Sequence, residues 1–207
     1  MMYLIYLPLN IICMLLSYVL NPFVCLFANE VGDLPGWLRY FQTWDDSCDV
    51  DFFVKTVVPK WLRYDFDSKY ISSRETTPEL AAVGRDRGCV ILKDGATFST
   101  KEKIQRYMCR VLWLTRNCGY GFAFSLFGVT ANGENIKVVV LKTGSKGGQL
   151  TLAYDTTKGI WNRPWRITDD RKLSDRVSMN TILGWKLCTD SGAHRSMIAN
   201  RIAISID

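Results

Sequence analysis

Residues 1–29 contain no charged side chain; all 26 Lys and Arg and all 20 Asp and Glu residues of this 207-residue chain lie from Glu30 onward. That asymmetry limits the possible folds more than any motif does. A helix needs about 20 predominantly apolar residues to cross the hydrocarbon of a bilayer. Residues 3–28, YLIYLPLNIICMLLSYVLNPFVCLFA, reach that length. Pro8 falls near the start, where its missing N–H costs little. Asn21 precedes Pro22 and is biased away from helical angles, so a kink or break is expected there. Two forms follow: one kinked span over about 3–28, or a helix to Leu20 and then an interfacial turn over 21–28. A cleaved signal peptide would carry a basic leading region, yet no Lys or Arg precedes Arg39. A buried core helix is rarely so long without a charge. Residues 1–28 therefore read as a membrane anchor.

The remainder is water-soluble in character. With 48% hydrophobic and 13% aromatic residues the chain can build a real core. The net charge of +6 favours anionic partners: lipid headgroups, nucleic acid or an acidic protein. Seven cysteines at 13, 25, 48, 89, 109, 118 and 188 form an odd set without a C-x-x-C pair. Neither a secreted disulfide framework nor a zinc site has that spacing. Reduced thiols in a cytoplasm-facing domain are the simplest account.

Residues 29–77 read as an aromatic connector. DLPGWLRYFQTWDD sets Trp37, Tyr40, Phe41 and Trp44 close behind the apolar stretch. Amphipathic aromatics prefer the headgroup zone, which makes these four the candidate membrane-interface residues. The competing reading is that they cap the soluble core. From Cys48 to Thr77, Phe52, Phe53, Trp61, Tyr64 and Phe66 alternate with Lys55, Lys60, Arg63 and Lys69. A short helix or an extended arm along the domain or the membrane surface fits that mixture better than base stacking or lipid docking does.

Residues 78–207 read as an α+β domain, one amphipathic helix packed on an antiparallel sheet. Cys89 to Leu92 suggests a short strand with Asp94-Gly95 as its turn. The clearest helix runs from about 100 to 118, where Ser99 and Glu102 have capping-box spacing and Gly119 stops it. Ile104, Tyr107 or Met108, Val111, Leu114 and Cys118 make its apolar face. Lys103, Arg106 and Arg110 are expected opposite, on a solvated face that could also meet phosphate. Arg116 and Asn117 cap the helix end or form a polar contact. These five are the candidate anion or partner contacts.

After Gly121 the pattern changes to strands. GFAFSLFGVT and IKVVVLK flank Asn132-Gly133, the strongest short hairpin signal. KTGSKGG makes another turn before QLTLAY, and GIWNRPWRI reads as an edge strand because of Pro164. LGWKLCT and IANRIAISI look like a final pair, with Ile198, Ile202, Ile204 and Ile206 on one face.

No metal, cofactor or catalytic set is legible. His194 is the single histidine and has no partner at dyad spacing. Walker, G-x-S-x-G and zinc patterns do not occur. Asp45-Asp46 and Asp169-Asp170 are adjacent carboxylates whose side chains diverge on regular elements.

Three stretches carry a resemblance. They are the apolar start ending in Asn21-Pro22, DLPGWLRYFQTWDD, and the helix end WLTRNCGYGF with its later GWKL segment. Together they resemble an uncharacterised family of small tailed-bacteriophage proteins with a membrane-like N-terminus. The matching residues are Leu34, Pro35, Trp37, Leu38, Phe41, Gln42, Thr43, Trp113, Arg116, Asn117, Tyr120, Gly121, Phe122, Gly184 and Lys186. Residues 48–98 look longer than that family's usual connector. The resemblance implies a viral origin and a host-membrane setting, without a mechanism. With the apolar segment and the missing catalytic set beside it, the chain is expected to be a non-enzymatic protein at the host inner membrane, binding lipid and a host or phage protein. A virion or genome-delivery component and a nucleic-acid-binding module are the alternatives.

Overall fold

The computed structural model describes residues 1–43, 47–72, 90–187, 193–196 and 198–206. Helix α1 covers Met2–Val24 and continues as a 3-10 turn over Cys25–Phe27. The break expected at Asn21-Pro22 does not occur. A proline inside a helix removes one hydrogen bond and costs about 3 kcal/mol, so packing must hold the turn. The Pro22 carbonyl accepts from the Tyr107 hydroxyl at 2.8 Å, and Val24 and Cys25 are buried in a core just beyond it.

The chain forms two compact units. A central unit comprises Ile12–Phe122, and a terminal unit joins Met1–Ile11 to Ala123–Asp207. Helix α1 therefore gives its first turns to one unit and the rest to the other.

The segment read as a connector supplies most of the central unit's core. Leu34, Leu38, Val50, Phe53, Val54, Leu62 and Phe66 pack with Cys109, Trp113 and Leu114. Regular structure in it is short: 3-10 turns at Gly36–Phe41 and Lys60–Leu62, a π turn at Phe53–Val57, and helix α2 at Phe66–Lys69. Strand β1 (Tyr70–Ser72) pairs antiparallel with β2 (Val90–Leu92). The turn after β2 is closed by Ala96 N–H to the Lys93 carbonyl, with Gly95 at φ +74°.

Helix α3, Thr100–Arg116, has the expected extent and capping box: Ser99 Oγ accepts from Glu102 N–H, and Glu102 accepts from Ser99 N–H at 2.8 Å. Its facing differs from expectation by about one residue. Gln105, Cys109, Arg110, Trp113 and Leu114 turn inward, and Ile104 is left 60% exposed. The rotation brings Arg110 onto a buried carboxylate, and an unpaired buried charge outweighs one exposed isoleucine. Within its unit α3 packs on the turns at Cys25–Phe27, Phe53–Val57 and Lys60–Leu62. Residues from Gly121 were expected to start a strand; they lie instead in a short helix α4, Tyr120–Ser125.

The terminal unit carries an antiparallel five-stranded sheet, so the α+β class holds. Its order is β4 (Ile136–Thr143), β5 (Gln149–Asp155), β6 (Trp165–Lys172), β7 (Val177–Trp185), β9 (Ile198–Ile206). The KTGSKGG turn does join β4 to β5, and LGWKLCT does pair with β9 through Leu183, Gly184 and Trp185, although β7 begins earlier, at Val177. Two expectations fail. Strand β3 (Val129–Asn132) pairs with β8 (Ala193–Ser196), not with β4. Asn132 instead caps a 3-10 turn at Gly133–Asn135 through its side chain, so Asn-Gly marks a corner between two sheets. Strand β6 is internal, because Pro164 stands just before it and only lends its carbonyl to Asp155 N–H. Along β9, Ile202, Ile204 and Ile206 share a face and are exposed.

Candidate functional site

The sequence of α1 divides into two faces. Tyr3, Asn10, Met14, Ser17, Asn21 and Val24 recur at helical spacing and turn toward protein. Leu4, Ile5, Leu9, Ile12, Leu15, Leu16, Val19 and Phe23 turn away, and Leu4, Val19 and Phe23 are 68%, 67% and 64% exposed. A water-soluble amphipathic helix has the opposite arrangement, with apolar residues inward and polar ones outward. Here Asn21 is fully buried, and neither its carbonyl oxygen nor its amide nitrogen finds a protein partner. Ser17 donates to the Cys13 carbonyl at 2.7 Å. The helix is long and apolar enough to cross a membrane. That polar stripe was legible as Asn10, Ser17 and Asn21 at intervals of seven and four residues, and the sequence reading missed it.

Both ends of the helix carry exposed aromatic side chains. In the terminal unit, Met2 N–H donates to the carbonyl of Trp161 at 3.1 Å, and Ile160 and Trp161 are exposed. In the central unit, Phe27 meets Trp37 edge-on at 5.5 Å, and both are exposed. Of the four expected interface residues, Trp37 stands clear. Tyr40 is partly covered by stacking on Phe122 at 6.0 Å, and Phe41 packs edge-on to Phe122 at 5.0 Å. Trp44 lies outside the described residues, as do Asp45 and Asp46.

The DLPGWLRYFQ motif locks itself. Asp33 accepts from Arg39 at 2.9 Å and from the Gln42 amide at 3.1 Å, and Gln42 Oε1 accepts from Leu34 N–H at 2.9 Å. Gly121 lies against the same turn: a Cβ there would fall 2.2 Å from the Gln42 carbonyl oxygen and 2.5 Å from that of Tyr40. The two motifs thus meet in one contact of the central unit.

The strongest electrostatic feature is Asp49, which the sequence reading did not single out. It is fully buried and accepts from Arg110 Nε at 2.8 Å and Nη2 at 2.6 Å, from Arg106 Nη2 at 3.0 Å, and from the Tyr70 hydroxyl at 2.9 Å. Arg110 also donates to the carbonyl of Asn29 at 2.9 Å, and Arg106 donates to that of Glu30. Burial alone would raise the Asp49 pKa, but the hydrogen bonds and charge of Arg110, with Arg106, outweigh it and hold the carboxyl below its usual value. The hint was a charged residue inside the apolar run CDVDFFV.

This placement settles the five expected anion contacts as positions. Arg106 and Arg110 are bound inward by Asp49 and are not a solvated face. Lys103 is exposed. Arg116 lies over the rings of Phe52 and Phe53 at 5.9 and 5.7 Å, and Asn117 caps the helix by donating to the Trp113 carbonyl at 3.0 Å. The five do not form one cluster. On β6, Asp169 pairs with Arg171 at 2.6 Å, while Asp170 alternates to the other face. His194 sits on β8 opposite Ala131. Burial pushes the Cys109 thiol up to about 12, with a smaller contribution from Asp49, and the Cys48 thiol well up. Neither is an activated nucleophile.

A family model matches residues 1–206. The chain belongs to the DUF7338 family. DUF7338 is a family of unknown function, and its match takes in α1 together with both units. No curated protein and no solved structure matches the chain.

Proposed function

We propose that this chain is a membrane-attached, non-catalytic binding protein, held to lipid by the outward face of α1. The observation that carries the reading is the reversed polarity of that helix: its amides and hydroxyl turn toward protein and its aliphatic side chains turn away. Contiguous exposed apolar surface on this scale marks an interaction site. Hydrocarbon is its natural cover, because no charge interrupts the first 29 residues and an exposed tryptophan stands at each end of the helix.

The body of the protein supplies the partner surface. Its basic charge suits anionic headgroups or an acidic protein face. Cysteines 13, 25, 48, 109 and 118 are unbonded, which favours a reducing compartment and so the cytoplasmic side. On the resemblance to tailed-phage proteins, the membrane is the inner membrane of a bacterial host and the partner a host or phage protein there.

Fractionation of cells expressing a tagged copy tests the attachment. The protein should sediment with membranes and be released by detergent. Recovery in the soluble fraction after detergent-free lysis overturns the proposal.

A further inference from the structure

We infer that α1 lies in the plane of the membrane surface, sunk into one leaflet, and does not cross the bilayer. The inference rests on the membrane attachment proposed above and concerns how that attachment is made.

A crossing helix must present hydrocarbon-compatible surroundings along its whole length, since lipid offers polar groups no partners. In each of the two units, inward residues of α1 meet folded protein of that unit. At the first turn the Tyr3 hydroxyl donates to the Asn200 side chain, and its ring lies 4.8 Å from Trp165 and 5.0 Å from Trp185. Near the middle the Met14 carbonyl accepts from the Cys118 thiol at 2.9 Å, and Gly119 approaches so closely that a Cβ would lie 3.1 Å from that of Met14. At the last turn the Tyr107 hydroxyl donates to Pro22.

Met14 is the residue that decides between the two placements. It lies at the centre of the apolar segment Met2–Phe27, so a crossing helix would set it at the bilayer midplane. Exposed Arg116 and the polar end of α3 stand two to three residues from the Cys118-Gly119 contact. Crossing would therefore draw a guanidinium toward the middle of the hydrocarbon, where charges are costly. Lying flat avoids this: the outward aliphatic face enters the acyl region, and the inward stripe with the protein on it stays on the aqueous side.

Lipid suits the outward face better than a second copy does. A partner helix covers a narrow seam of a and d positions. The exposed residues here include the adjacent pairs Leu4-Ile5, Ile11-Ile12, Leu15-Leu16 and Tyr18-Val19, which spread around far more of the circumference. Acyl chains, being fluid, can cover all of it.

Depth measurement tests the placement. In the full chain, p-acetylphenylalanine is introduced singly at Ile5, Ile12 and Val19, which share the outward face at seven-residue spacing, and coupled to a hydroxylamine nitroxide. Proteins are floated with vesicles of phosphatidylcholine and phosphatidylglycerol, and oxygen and nickel-chelate collision rates give the depth of each label. The expected result is one common depth in a single leaflet. A profile with Ile12 deepest and the other two shallower, by the about 10 Å that seven residues rise, overturns the in-plane placement and leaves membrane attachment standing. Failure to float overturns attachment itself. Labels shielded from both reagents would mean that protein covers the face, and the inference falls.

Discussion

Arg110 grips Asp49 at two points, Nε to Oδ1 at 2.8 Å and Nη2 to Oδ2 at 2.6 Å, with both side chains buried in the central unit. The grip joins elements far apart in sequence, because Arg110 also holds the carbonyl of Asn29, just beyond the end of α1. Asp49→Asn would leave two guanidinium groups facing a neutral amide. Loss of one partner of a buried pair costs about 3–5 kcal/mol, so the urea midpoint should fall steeply. A double change of Asp49 and Arg110 to apolar residues should cost less than the single one.

The same carboxylate sets an acid limit. Because its pKa is lowered on folding, Asp49 contributes stability that is complete above its unfolded value of about 3.9 and is lost as pH falls through the lower folded value. Thermal melts should show this contribution unchanged from neutrality to about pH 5, and lost only below pH 4. In the Asp49→Asn variant the extra acid sensitivity should be gone.

Gly121 sits where a methyl group has no room, 2.2 and 2.5 Å from two carbonyl oxygens. Gly121→Ala must push α4 away from the Gly36–Phe41 turn, for about 1–3 kcal/mol of destabilisation. Gly36→Ala is the internal comparison, since nothing lies within 4 Å of its Cβ position, and its melting temperature should match the parent. Equal melts for the two variants would contradict the close approach.

Leu16 and Val19 face outward on α1, 53% and 67% exposed. Leu16→Asn and Val19→Asn should leave the melting temperature unchanged. Burying one such side chain is worth about 1.5–3 kcal/mol, so each change should weaken vesicle binding by at least about tenfold. Unaltered flotation of the double variant would remove lipid as the cover of this face.

What could be read in advance was what neighbouring residues decide. The Ser99–Glu102 box located the start of α3, the KTGSKGG turn located β5 and the alternating isoleucines located β9, because caps, turns and strand faces depend on residues a few positions apart. The facing of α3 could not be read, since it turns on an aspartate 61 residues away that must be neutralised where it is buried. Helix α1 through Pro22 and the corner at Asn132-Gly133 misled for the same reason: tertiary partners overrode a local preference. The site was half legible. Its apolar outward face was plain, whereas the inward polar stripe needed the helix to be followed turn by turn.

The terminal unit is assembled from the two extremes of the chain, with Tyr3 set among Trp165, Trp185 and Asn200. During synthesis the first of these emerges from the ribosome nearly two hundred residues before the last. Until strand β9 is made, the first turns of α1 lack these partners, and such transient exposure of apolar side chains invites aggregation or chaperone capture. Early delivery of that helix to a lipid surface would shelter it until strand β9 is made.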